Sequence, residues 1–330
     1  GCMQDASIYA PGMVWLQYVP GRIFSESHVH VLGVAMIIIS SLVLAWLARQ
    51  SVGLGRIVLL VAAVGGPWLL LLERGNVDAV LLWAAALVVL LVRRWDNLAV
   101  WSIAAAVVWL VGTWKYYPFA LGVMLLPVLR LRRGWIVLVG FVVAALGFVL
   151  FTWRNVVFSL GSNTNMIDYG DYAVLGRVPV VARMLGTDVA AAGWQFGDLL
   201  LLMLAVLAGV VGFAAGRLAG ARRPWMAMLA AGGAALYLSS VLIAGFGYAY
   251  KGTFLLLAVP TLSRLPGSRM RIVAGSGLAA LLFVGVQSVV IWNTVMVTIA
   301  GIAGASFALG LAFASIAASL HARWRVRDLV

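Results

Sequence analysis

Lysine is scarce in this chain. Of its 23 basic residues 21 are arginine, and the two lysines both stand in short turns beside tyrosine, Trp114-Lys115-Tyr116-Tyr117-Pro118 and Tyr248-Ala249-Tyr250-Lys251. A third short turn, Glu73-Arg74-Gly75-Asn76-Val77-Asp78, holds four strongly polar residues within six positions, and apolar sequence flanks all three. Each charge has two chemical readings. Arg74 and Lys115 can snorkel toward lipid headgroups, or they can be the costly membrane-depth charges that mark a binding site. Asp78 opens an apolar run, where a carboxylate either satisfies the free N–H groups of a helix start or takes part in proton transfer. Tyr116, Tyr117 and Tyr250 serve either as interfacial belt residues or as platforms for a substrate.

The elements that must position these residues are apolar helices. The chain has 330 residues, of which 64% are apolar and 10% charged, with a mean hydropathy of +1.08. A soluble domain carries about 25% charged residues. Apolar runs long enough to cross a hydrocarbon core of about 30 Å recur from end to end. Disorder, a disulfide-stapled secreted domain and an ordinary cytosolic enzyme are excluded, and a polytopic membrane protein is expected. Hydropathy predicts spans at 29–48, 56–72, 77–92, 97–114, 116–131, 134–153, 198–217, 225–245, 249–263, 271–292 and 294–320. The runs lack the alternation of a barrel, and a lipid-facing segment must satisfy its own backbone, so the spans are helices. Three of them (77–92, 116–131 and 249–263) are shorter than the usual 17–25 residues.

Charge orients these eleven spans. One set of connections carries 16 basic residues, from Arg49 and Arg56 to the tail with Arg323, Arg325 and Arg327, against two acids, Asp96 and Asp328. The other set carries 7 basic residues and 8 acids, among them both lysines. The positive-inside rule makes the first set cytoplasmic, so the C-terminus lies inside and the polar turns gather at the outer face. Three cation-bearing turns on one face favour a binding function over three unrelated anchors. In a soluble protein the net charge of +13 would suggest nucleic acid, but here it follows membrane topology. An outside start at Gly1 without a signal peptide leads us to expect a further span before residue 1, with Met3 as a true start being the alternative.

The expected organisation is an outer-face interfacial segment at 1–28, six spans over 29–153, an extracytoplasmic loop at 154–197, and five spans with a basic tail over 198–330. The first segment, with Tyr9, Trp15 and Tyr18, suits the interface, and the apolar Val178 to Leu185 within the long loop reads as a short interfacial helix. Asn293 reads as the turn between the last two spans. Cys2 is the only cysteine and rules out an internal disulfide. His28 and His30 are two apart and make a poor metal pair on a helix. No phosphate loop, nucleophile elbow or metalloprotease motif occurs. No carboxylate or histidine chain crosses the bilayer, which counts against a proton-coupled transporter.

Glu73-Arg74-Gly75-Asn76-Val77-Asp78 followed by Lys115-Tyr116-Tyr117-Pro118 resembles glycosyltransferase family 87, a bacterial membrane family of the GT-C superfamily that includes polyprenyl-phosphate-dependent mannosyl- and arabinosyltransferases. Tyr9-Ala-Pro-Gly and Tyr250-Lys251 are similar to further short motifs of that family, and the resemblance runs over roughly residues 5–265. It implies an all-α GT-C helical bundle in the bacterial plasma membrane, with its active site facing outward. It also implies transfer of a sugar from a polyprenyl-phosphate donor to a lipid or glycan hydroxyl by a single inverting displacement.

By the same resemblance an acid of the first outer loop is the general base, and Asp5 is the candidate by position. Lys115, Arg74 and Lys251 would hold the donor phosphate, whose departing oxygens gain charge and need cations in place. Glu73, Asn76, Asp78, Tyr116, Tyr117 and Tyr250 would face the sugar. The expected partners are the donor, the acceptor and membrane lipid, with no nucleic acid. No cofactor is called for, and a divalent metal is left open. The alternatives are a lipid or lipid-linked-sugar transporter and a catalytically inactive relative.

Overall fold

The computed structural model of the chain describes residues 26–73, 78–153, 193–219, 224–242, 249–265, 267 and 291–327. All regular structure among them is helical, with no strand. The expected interfacial segment before residue 26, the apolar middle of the long loop and the 271–292 span lie outside the described residues.

In chain order the α-helices are α1 (Glu26–Gln50), α2 (Leu54–Val64), α3 (Gly66–Glu73), α4 (Asp78–Arg94), α5 (Leu98–Gly112), α6 (Gly134–Phe151), α7 (Gly193–Ala219), α8 (Pro224–Leu242), α9 (Val259–Leu262) and α10 (Ile291–Arg327). Two 3-10 helices interrupt the series, Tyr117–Arg130 between α5 and α6 and Ala249–Ala258 leading into α9. Among the described residues three helices are long and apolar enough to cross a membrane, over His30–Gln50, Gly134–Phe151 and Ala300–His321, and several shorter apolar helices accompany them. α1 and α6 leave most of their apolar side chains uncovered, among them Ile38, Leu42, Val143, Leu146 and Leu150. Water does not tolerate an apolar surface so extensive. These helices mark a membrane protein.

The expected 56–72 span is two helices. Gly65 takes an extended conformation (φ −74°, ψ 144°) between α2 and α3. Gly66 and Pro67 follow it, and proline has no N–H with which to continue a helix through this point. The expected turn at Asn293 is also corrected, since Asn293 lies inside α10, a continuous helix of 37 residues.

The segment expected as a short span at 116–131 winds as a 3-10 helix of 14 residues, well beyond the usual three or four residues. Pro118 opens it, Pro127 stands inside it, and Pro118, Leu121, Met124 and Pro127 are all buried. That spacing of three is the period at which 3-10 side chains eclipse, so one row meets the core. The winding also changes reach. At about 2.0 Å per residue the segment extends about 28 Å, against about 21 Å as an α-helix. The second 3-10 segment has a similar order of residues, Lys251 near its start, Pro260 just after its end and Arg264 beyond, as Lys115 stands two residues ahead of the first, Pro127 inside it and Arg130 at its end.

α8 is the central helix. Residues 226–237 are buried without a break, and most of them are alanine or glycine. A side chain at Gly232 would meet Met124 of the first 3-10 helix, and one at Gly233 would meet the carbonyl of Phe254 in the second. Small residues here let both 3-10 helices lie directly against one helix, the usual device for close packing in membrane bundles. α7 and α10 form a second close seam, in which Gly212 approaches the Phe307 carbonyl and Gly310 approaches that of Gly209.

Candidate functional site

Hydrogen bonds sort the helix ends into two groups. At one end Arg264 donates to the Gln50 carbonyl (3.0 Å), Arg93 stacks on Trp225 (4.9 Å to the ring centroid), and Arg130 pairs with Asp96 (2.5 Å). Trp101 Nε1 also donates to Asp96 (2.9 Å). These contacts join the end of α1, the end of α4, the starts of α5 and α8 and the far ends of both lysine-headed segments. The opposite end brings together the starts of α4 and of both 3-10 helices with the end of α8.

Asp78 stands in the first turn of α4 and is fully buried. Its Oδ1 accepts from Lys115 Nζ at 2.6 Å and from Tyr117 OH at 2.6 Å. The positive end of the α4 dipole favours a carboxylate at this position. Helix-start position and partnership with a lysine therefore coexist in one residue. The Lys115 side chain keeps 17% exposure where that of Asp78 keeps none, so the carboxylate is the more deeply buried partner of the pair.

Tyr117 is held from three sides. Its hydroxyl reaches Asp78 of α4, its carbonyl accepts from Ser239 of α8 at 3.1 Å, and its ring packs on Phe254 of the second 3-10 helix at 6.3 Å between centroids. Pro118 follows it at the helix start, where a missing N–H costs nothing. Lys251 is buried and donates to the Ser240 carbonyl at 3.0 Å. The Lys115 and Lys251 ammoniums lie 5.9 and 5.7 Å from the centroid of this one tyrosine ring. The only two lysines of the chain thus meet at Tyr117.

Comparison of the chain with protein-family models, curated proteins and solved structures gives no match. The site is therefore read from its own chemistry.

Among the ten residues expected to form the site, the structure brings together Asp78, Lys115, Tyr117 and Lys251. Glu73 closes α3, and Tyr250 lies one position ahead of Lys251 in the second 3-10 helix. Tyr116 turns to α6, where its ring packs on Phe148 at 6.1 Å. Asp5, Arg74 and Asn76 lie outside the described residues. Sequence reasoning missed Ser239 and Ser240, which supply a hydroxyl and a carbonyl to the site from the end of α8. A pair of hydroxyl residues ending an otherwise apolar helix was the available signal. Among the described residues no three His, Cys, Asp or Glu side chains gather as a metal site requires.

Two ammonium groups and one buried carboxylate around a tyrosine can bind and orient an anion. Ammonium is a compact point charge with three donors, suited to phosphate oxygens. Asp78, fully buried and engaged by Lys115 and Tyr117, is placed to hold a cation.

Proposed function

We propose that this protein is a membrane glycosyltransferase of the family 87 type, which takes a mannose- or arabinose-like sugar from a polyprenyl-phosphate donor to a lipid or glycan hydroxyl at the outer face of a bacterial plasma membrane. The observation that supports the reading most is the convergence of Lys115 and Lys251 on Tyr117, at the bundle end opposite the arginines. A lipid-linked sugar phosphate has an apolar tail, an anionic link and a polar head, and its cations belong where helices meet the headgroup layer. In this reading eleven spans cross the membrane, the arginine end and the C-terminus are cytoplasmic, and each 3-10 helix with its continuation crosses as one short span.

The reaction is a single displacement. The acceptor oxygen attacks the anomeric carbon, the bond from that carbon to the phosphate oxygen breaks, and polyprenyl phosphate leaves with the electron pair. The acceptor proton passes to a carboxylate within about 2.6–3.2 Å, assigned to Asp5. Lys115 meets the charge that grows on the departing phosphate, supported by Arg74 and Lys251, and cations fixed in advance lower the barrier without reorganising during the step. Glu73, Asn76, Tyr116 and Tyr250 remain assigned to the sugar and acceptor.

The test is sugar release from a panel of polyprenyl-phosphate donors by the full chain in lipid, beside Lys115→Ala. Transfer by the parent chain that falls at least about a hundredfold in the variant is expected, the scale of losing one charge-stabilising group. No transfer with any donor, together with movement of labelled lipid between leaflets, would replace the enzyme by a lipid transporter.

A further inference from the structure

We propose that Tyr117 is the positioning residue of the anion site: its hydroxyl and ring hold the ammonium of Lys115 toward the ligand and tie Lys251 to the same point. The inference rests on the anion-binding part of the reading above, with sugar transfer set aside.

Three observations carry it. The Tyr117 hydroxyl and the Lys115 ammonium share one oxygen, Asp78 Oδ1, each at 2.6 Å, so the carboxylate's position is set jointly by the two. The tyrosine ring lies within 6 Å of both ammoniums, where the negative ring face attracts cations. The residue is itself immobilised by Ser239, Phe254 and the following proline, so what it holds inherits a fixed place. A lysine side chain has four rotatable bonds, and holding its charge at one point requires such a frame. Lys115, whose side chain is the more exposed of the two, is the one that meets the ligand, while the buried Lys251 adds to the local field. The ligand class is a phosphate ester on an apolar tail. Tyr117 touches the cations and Asp78, and acts on the ligand through them.

The experiment compares binding of farnesyl phosphate and of farnesol to the full chain in detergent micelles. The two probes share a tail and differ in the phosphate. Tyr117→Phe, which keeps the ring and loses the hydroxyl, is expected to weaken farnesyl phosphate about tenfold, the scale of one hydrogen bond to a charged group, and to leave farnesol unchanged. Tyr117→Leu, which loses the ring as well, is expected to lose a further factor of about three to five. In a Lys115→Met background the Phe substitution is expected to add less than about twofold, because the group it positions is gone. An unchanged farnesyl phosphate affinity in Tyr117→Phe overturns the proposal, as does an equal loss for both probes, which would mark a merely structural residue.

Should the Phe variant not fold, 3-fluorotyrosine placed at position 117 preserves the hydroxyl. Its fluorine resonance is expected to shift with farnesyl phosphate and to stay in place with farnesol, and a resonance indifferent to the phosphate overturns the proposal. Neither readout requires sugar transfer. Phosphate binding that depends on Tyr117 in a protein that transfers no sugar would remove the enzyme reading and leave this one standing.

Discussion

Asp78 and Lys115 lie 37 positions apart and meet as a 2.6 Å ion pair, the carboxylate fully buried and the lysine side chain only 17% exposed. The pair links the start of α4 to the turn ahead of the first 3-10 helix, so it belongs to the fold and to the site at once. Removing one partner strands a charge in a poorly solvated place, whereas replacing both with apolar groups does not.

That asymmetry gives the first prediction. Asp78→Leu is expected to cost about 3 kcal/mol, and adding Lys115→Met is expected to restore at least about half of the loss. Thermal unfolding in detergent measures both. A double variant no more stable than Asp78→Leu would mean that the two residues stabilise the protein independently.

The α7–α10 seam gives a second prediction with an internal control. A methyl at Gly310 would run into the backbone of Gly209, while one at Gly304, on the same helix, meets nothing within 4 Å. Gly310→Ala is expected to destabilise by about 1–3 kcal/mol through overpacking. Gly304→Ala is expected to be neutral or to gain up to about 1 kcal/mol from helix propensity. Equal melting temperatures for the two variants would show that the seam is looser than described.

Orientation is tested by labelling. With Cys2→Ser as background, Arg133→Cys is expected to resist a membrane-impermeant thiol reagent in intact cells and to react once the cells are opened. Ser162→Cys, in the segment expected from the sequence to be an outer loop, is expected to react in intact cells. The reverse pattern would invert the protein and move the lysine site to the cytoplasmic face, against the positive-inside rule.

Most ends of the helices were legible in the sequence to within a few residues, because long apolar stretches bounded by charge stand out in it. The polar turns stood out for the same reason. Their meeting point did not. Hydropathy says that Asp78, Lys115 and Lys251 lie near one face, but only the close approach of both 3-10 helices to the alanine- and glycine-rich α8 says that they meet at Tyr117. The break at Gly65 and the unbroken α10 across Asn293 turn on local backbone choices to which hydropathy is blind. Pro127 signalled a departure from α geometry in the first 3-10 helix, but proline alone does not distinguish a kink from a change of winding.

The two acid tethers at the ends of that helix have a mechanical meaning. Arg130 is moored to Asp96 and Lys115 to Asp78, so the distance between the moorings is set by elements other than the segment itself. Relaxed to α pitch, the same 14 residues would fall about 7 Å short of spanning it. The lysine and arginine arms would then have to extend to make up the difference, or let go of an acid. The ion pairs thus bias the segment toward the longer winding.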